Sequence, residues 1–132
     1  MRRLLLGFVS VLLVAPAGAQ DLRRDGKVAG RVEADGDVRI GGKVVGRFEK
    51  DGDVRADGKV VARIEKDGDI RVGGKVAGRV EADGDVRVGG KVVGRVEKNG
   101  DVRKDGKVIG SAKGVSKERA AVLFFFNVFD LP

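Results

Sequence analysis

The sequence predicts an all-β protein: five 16-residue β-hairpin repeats joined by closure or stacking, followed by a short hydrophobic C-terminal segment with a helix-start signal. Three observations carry this reading. Lys27, Lys43, Lys59, Lys75, Lys91 and Lys107 recur every 16 residues, together with everything around them. Within each unit the valines alternate with charges, which is the period of a half-buried strand and not of a helix. Two glycine-bearing turn signals punctuate every unit.

The chain opens on Met1-Arg2-Arg3, a short positive start, and continues with an uncharged aliphatic run from Leu4 to Ala15. Pro16 breaks that run, and Ala17-Gly18-Ala19 has the small-x-small pattern of a signal-peptidase site. Residues 1–19 therefore read as a signal peptide, because the apolar run falls short of the ~20 residues that a spanning helix needs. An exported protein, periplasmic or extracellular, is expected. Without Arg2 and Arg3 the chain keeps 25 basic against 20 acidic residues. It has no cysteine, so no disulfide supports the fold.

Residues 20–114 form the repeat domain, with five full units over 31–110. One unit runs Arg31-Val32-Glu33-Ala34-Asp35-Gly36-Asp37-Val38-Arg39-Ile40-Gly41-Gly42-Lys43-Val44-Val45-Gly46, and later units begin at Arg47, Arg63, Arg79 and Arg95. Asp25–Gly30 is the second half of a further unit. Both turn signals, Ala34-Asp35-Gly36 and Ile40-Gly41-Gly42, suit a three-residue loop closed by a left-handed glycine. Parity supports that choice: it sets Val32 opposite Val38 and Val38 opposite Val44, with all valines on one face. It also opposes Arg31 to Arg39 and Glu33 to Asp37, so neighbouring charges must compensate. A lone hairpin is marginal in water, so closure or stacking must join the units.

The tail, 115–132, is a different material. Ser116-Lys117-Glu118-Arg119 fits a helix start, with Ser116 as the cap and Glu118 in the first turn. Four of the six phenylalanines follow: Phe124, Phe125, Phe126 and Phe129. They either plug the repeat assembly or offer an exposed patch to an envelope or protein partner. Burial of each ring is worth ~1.5–3 kcal/mol, which favours the plug.

The five units and the tail Gly114-Val115-Ser116-Lys117-Glu118-Arg119-Ala120-Ala121-Val122-Leu123-Phe124-Phe125-Phe126 resemble those of the bacterial five-fold beta-flower family. The resemblance implies five hairpin petals about a pseudo-fivefold axis; it carries over no active residues. A β-solenoid or β-meander is the alternative, although a solenoid usually wants divergent caps.

The composition excludes much chemistry. Without His or Cys there is no Ser-His-Asp triad, thiolate nucleophile or usual zinc site. With no Trp or Tyr there is little on which to stack bases, and the positive charge is interleaved with acid, which argues against a nucleic-acid partner. Asp35-Gly36-Asp37 and its copies match no calcium loop and read as turns. Five equivalent Glu33/Asp37 pairs lack the one distinctive environment that an acid/base site needs. No enzyme activity and no cofactor are expected. Two function classes remain. The first is an exported non-enzymatic structural or interaction module. The second is a binding protein for an anionic ligand or surface, acting through rings of repeated Arg/Lys rows, with Arg39, Arg55, Arg71, Arg87 and Arg103 as the candidate residues.

Overall fold

The computed structural model describes residues 19–132, and the described residues form twelve antiparallel strands and one helix. The strands are β1 (Gln20–Arg24), β2 (Lys27–Val32), β3 (Asp37–Ile40), β4 (Lys43–Phe48), β5 (Asp53–Ala56), β6 (Lys59–Ile64), β7 (Asp69–Val72), β8 (Lys75–Val80), β9 (Asp85–Val88), β10 (Lys91–Val96), β11 (Asp101–Lys104) and β12 (Lys107–Ser111), followed by α1 (Lys117–Phe125). Each strand pairs with its neighbours in sequence. β12 returns to β1 through Arg23↔Ser111 and Arg24↔Gly110, so the sheet closes into a barrel with no free edge. The expected leader, 1–19, lies outside the described residues apart from Ala19.

Two kinds of turn alternate between the ends of this barrel. At one end Glu33 N–H donates to the Asp37 carbonyl at 2.8 Å and Gly36 N–H donates to the Glu33 carbonyl at 2.9 Å. Gly36 has φ 100°, and Asp35 Oδ1 accepts from Asp37 N–H at 3.0 Å. This is the expected three-residue loop, and it opposes Val32 to Val38 and Arg31 to Arg39.

At the other end the expectation is corrected. Ile40 pairs with Lys43, so Gly41-Gly42 is a two-residue turn, with φ 62° and 80°. Positive φ at both central residues defines the type I′ turn, whose twist matches that of its strands. In the copies at Asp25-Gly26, Asp57-Gly58 and Asp105-Gly106 an aspartate takes the first position with φ 51–53°. Val44 therefore faces Arg39 on the outer wall and not Val38 in the core. A β-bulge at Val45 then inserts one residue and brings Gly46 opposite Val38. The parity argument assumed an unbroken ladder; the bulge restores the faces without a longer loop.

Six hairpins close the ring, one more than the five full repeats of residues 31–110, and the pseudo-fivefold axis that the resemblance implies is not borne out. The extra hairpin is β1–β2. Asp21-Leu22-Arg23 stands one repeat before Asp37-Val38-Arg39 and forms the same strand, with Leu22 as fully buried as Val38. Leu22 in place of valine and Arg24 in place of Ile40 mask the match.

Leu22, Val38, Val54, Ile70, Val86 and Val102 form an inward belt at 0% exposure. Belts of this size do not fill the ring. An eight-stranded barrel is just wide enough for its own side chains, and twelve strands enclose more. The tail occupies the remainder. Ser116 Oγ accepts from Arg119 N–H at 3.2 Å and caps α1; Asn127, at φ 56°, ends it in the left-handed region. Ala120, Ala121, Val122 and Leu123 are all buried, so α1 beyond its charged first turn is apolar on every side, as a helix inside a barrel must be.

The rings of the tail sit where the wall has no side chain. A Cβ built on Gly78 would lie 2.8 Å from the Phe126 ring, and one on Gly110 2.8 Å from that of Phe124. Gly46 meets Phe129 and Gly94 meets Phe125 more closely still, and Gly30 lies under Leu131. The repeated glycine is thus a row of seats for the plug. Ala62 takes this position in the remaining unit and is itself buried.

Gly46→Ala is expected to destabilise the fold by ~1–3 kcal/mol through overpacking against Phe129 and the Arg55 carbonyl. Phe126→Ala should cost ~3–5 kcal/mol, whereas Val60→Thr on the outer wall should stay within ~0.5 kcal/mol. Urea denaturation followed by far-UV circular dichroism measures all three; equal effects would remove the distinction between seat and wall.

Candidate functional site

The interior offers no site. Among the described residues every buried core side chain is hydrophobic and none is polar or charged. Phe124, Phe126 and Phe129 are 7–8% exposed and Phe125 packs partly buried against them. Phe48 meets Phe129 edge-on, with ring centroids 6.0 Å apart. All four tail phenylalanines therefore serve packing inside the ring, and the alternative of an exposed aromatic patch is set aside. Arg119, whose guanidinium lies 5.2 Å over the Phe48 ring, has its pKa lowered by burial.

The outer wall is an ordered network of ion pairs. The opposition of like charges at Arg31↔Arg39 recurs at Arg47↔Arg55, where it is relieved twice. Arg47 Nη1 reaches Asp37 at 2.6 Å, and Arg47 Nε lies 3.7 Å from Glu49. Glu49 in turn takes Arg55 Nε at 3.2 Å. The same Asp–Arg–Glu–Arg chain recurs through Arg63, Arg79 and Arg95. The hydrogen bonds that Arg47, Arg79 and Arg95 donate to Asp37, Asp69 and Asp85 raise the pKa of these arginines.

The arginines expected to bind anions lie within this network. Arg39, Arg55, Arg71, Arg87 and Arg103 pair with Glu33, Glu49, Glu65, Glu81 and Glu97 at 3.0–3.2 Å. Their Nη1 atoms also donate to the carbonyls of Gly42, Gly58, Gly74, Gly90 and Gly106 at 3.1–3.2 Å. They form the expected circle, yet each already serves a carboxylate and a turn. The Asp-Gly-Asp turns are likewise committed: Asp35 to the backbone, and Asp37 to Arg47. No group of three or more His, Cys, Asp or Glu converges among the described residues.

The sequence reading missed a different circle. At the type I′ end Lys27, Lys43, Lys59, Lys75, Lys91 and Lys107 are exposed, and among the described residues none lies within 4.0 Å of a carboxylate. Beside each stands a valine of the outer wall: Val28, Val44, Val60, Val76, Val92 and Val108, 48–56% exposed. The 16-residue lysine recurrence was the available signal; placing Val44 in the core concealed its partner.

The clefts at the opposite end are open and lined by polar and apolar side chains alike. One of about 570 Å³ lies between Asp83, Glu97, Lys98 and the start of α1, and another of about 320 Å³ lies beside Glu65, Lys66 and Arg119. Ser116 lines both, but its hydroxyl oxygen caps α1 by accepting from Arg119 N–H, and no hydrogen bond joins it to a carboxylate among the described residues. Comparisons with protein-family models, with curated proteins and with solved structures find no match for this chain.

The ion pairs of the wall are half-exposed, as at Arg87 and Glu81, with side chains 42% and 36% accessible. A double-mutant cycle with Arg87→Ala and Glu81→Ala should therefore return a coupling of only ~0.2–1 kcal/mol, shrinking in high salt. A larger coupling would make the network, and not the plug, the main support of the ring.

Proposed function

We propose that this chain is an exported, non-enzymatic interaction module that acts through its outer surface. One observation carries the reading: the tail fills the lumen with apolar side chains, which leaves the repeated exterior as the part available for recognition. Export rests on the leader pattern of residues 1–19. Kinship with the five-fold beta-flower family rests on the repeated motif and the tail alone; a fivefold axis forms no part of it, because six hairpins occupy the ring.

The wall does not suit a barrel that crosses a membrane. Its strands have four to six residues, against the ~9–11 that a membrane-crossing strand needs, and the Arg/Glu network covers their outer face. No described helix is long and apolar enough to cross a membrane either. The alternative of an anionic ligand or surface also draws support, now from the lysine circle, which has no carboxylate within 4.0 Å among the described residues, in place of the arginines.

Fractionation of the tagged full-length chain in a Gram-negative host tests the proposal. The expected result is a protein shortened by cleavage after Ala19, found outside the cytoplasm and cross-linking to an envelope or secreted component. Retention in the cytoplasm with the leader intact overturns export.

A further inference from the structure

We propose that the type I′ end of the ring docks on the surface of an anionic lipid bilayer, the lysine circle meeting headgroup phosphates and the valine circle resting at headgroup depth. The inference deepens the interaction-module reading and rests on it. Two independent features of the structure point the same way.

The first is the distribution of exposed apolar side chains. Scattered exposed hydrophobics are normal on a protein surface and mean little. Here the large hydrophobics exposed among the described residues are six valines, and all six occupy the same repeat position beside the type I′ turns. Closure of the barrel brings them to one rim, where a flat partner can meet several of them at once.

The second is charge. The arginines of the wall from Arg31 to Arg103 are paired, whereas Arg23 serves only the Gly26 carbonyl, and each valine is preceded by a lysine without a carboxylate within 4.0 Å among the described residues. Carboxylates do occur at this end: Asp25, Asp57 and Asp105 on three of the turns, and Asp130 beside Leu131, which itself seats on Gly30. The six lysines, with Lys104 and Arg24, outnumber them two to one. The opposite end mixes Lys50, Lys66, Lys98 and Lys113 with Asp35, Asp51, Asp67 and Asp83 and gathers no excess of one sign.

The combination selects the partner. A soluble polyanion would satisfy the lysines and leave the valines in water. An anionic bilayer offers phosphates and, just beneath them, apolar contact. Valine is short, so the contact is shallow and reversible, and its strength comes from repetition around the rim.

Co-sedimentation of the purified full chain with vesicles tests the proposal. Phosphatidylglycerol/phosphatidylcholine vesicles should carry the protein down at low salt and phosphatidylcholine vesicles should not. Changing Lys43, Lys59, Lys75 and Lys91 to Gln should weaken binding by roughly tenfold or more. Changing Val44, Val60, Val76 and Val92 to Ser should weaken it while keeping its salt dependence. Lys50→Gln, Lys66→Gln and Lys98→Gln at the other end should leave it within about twofold. Circular dichroism confirms that these surface variants stay folded.

Equal losses from lysine changes at either end would reduce the effect to net charge and overturn the proposal. So would displacement by millimolar inorganic phosphate, or indifference to the valines. Failure to bind any vesicle, with cross-linking to an envelope protein intact, removes the bilayer as partner and leaves the interaction module standing.

Discussion

The structure depends on the filling of a ring that its own wall cannot fill. Twelve short strands enclose more space than a belt of valines occupies, and an empty lumen would forfeit the packing that holds any core together. The tail supplies the missing volume as a capped helix followed by a bend. It fits because the wall omits a side chain where each ring must lie: Gly46 under Phe129, Gly78 under Phe126, Gly94 under Phe125, Gly110 under Phe124. Glycine here serves close approach as well as turn geometry, and the two uses fall at different positions of the same repeat.

This constraint separates an asymmetric inside from a repetitive outside. α1 packs towards β8 and β10, and across the lumen the row that holds Val32, Ile64, Val80 and Val96 is enlarged to Phe48, which meets Phe129. Near the entry of the tail the same row shrinks to Ala112. The outer wall has no such obligation and keeps its Asp–Arg–Glu–Arg chains almost unit by unit. A repeated exterior on an apolar, occupied interior suits recognition of an extended surface better than enclosure of a small molecule. The lysines and valines at one end extend the same logic, since closure of the sheet places six short side-chain pairs in one rim.

Much of the fold is legible in the residues, and the misses have specific causes. The 16-residue period, the strands and the three-residue loop at Ala34-Asp35-Gly36 follow from spacing and turn chemistry, as do the cap at Ser116 and the clash of Arg31 with Arg39. The type I′ turn at Gly41-Gly42 is ambiguous at the level of residues, because Gly-Gly serves either loop length and only the bulge at Val45 reveals which. Leu22 and Arg24 obscured the first hairpin, since one substitution in the belt and one at its mouth suffice to break a pattern match. The arginine circle was visible, but its pairing depends on which acid lies diagonally across the turn. The lysine and valine collar stayed hidden because its apolar half was assigned to the wrong face.

By itself the sequence determined the building unit: an alternating, glycine-punctuated hairpin with balanced charges, too thin in its apolar face to stand alone, and an apolar tail able to complete it. Those properties are local, set by backbone preference and by neighbours a few residues apart. The tertiary structure decided the rest: six hairpins around the ring, which valines turn outward, which charges are already spent on one another, and that each tail ring meets a glycine many residues away. These outcomes depend on closure, and closure is a property of all twelve strands together that no single repeat contains.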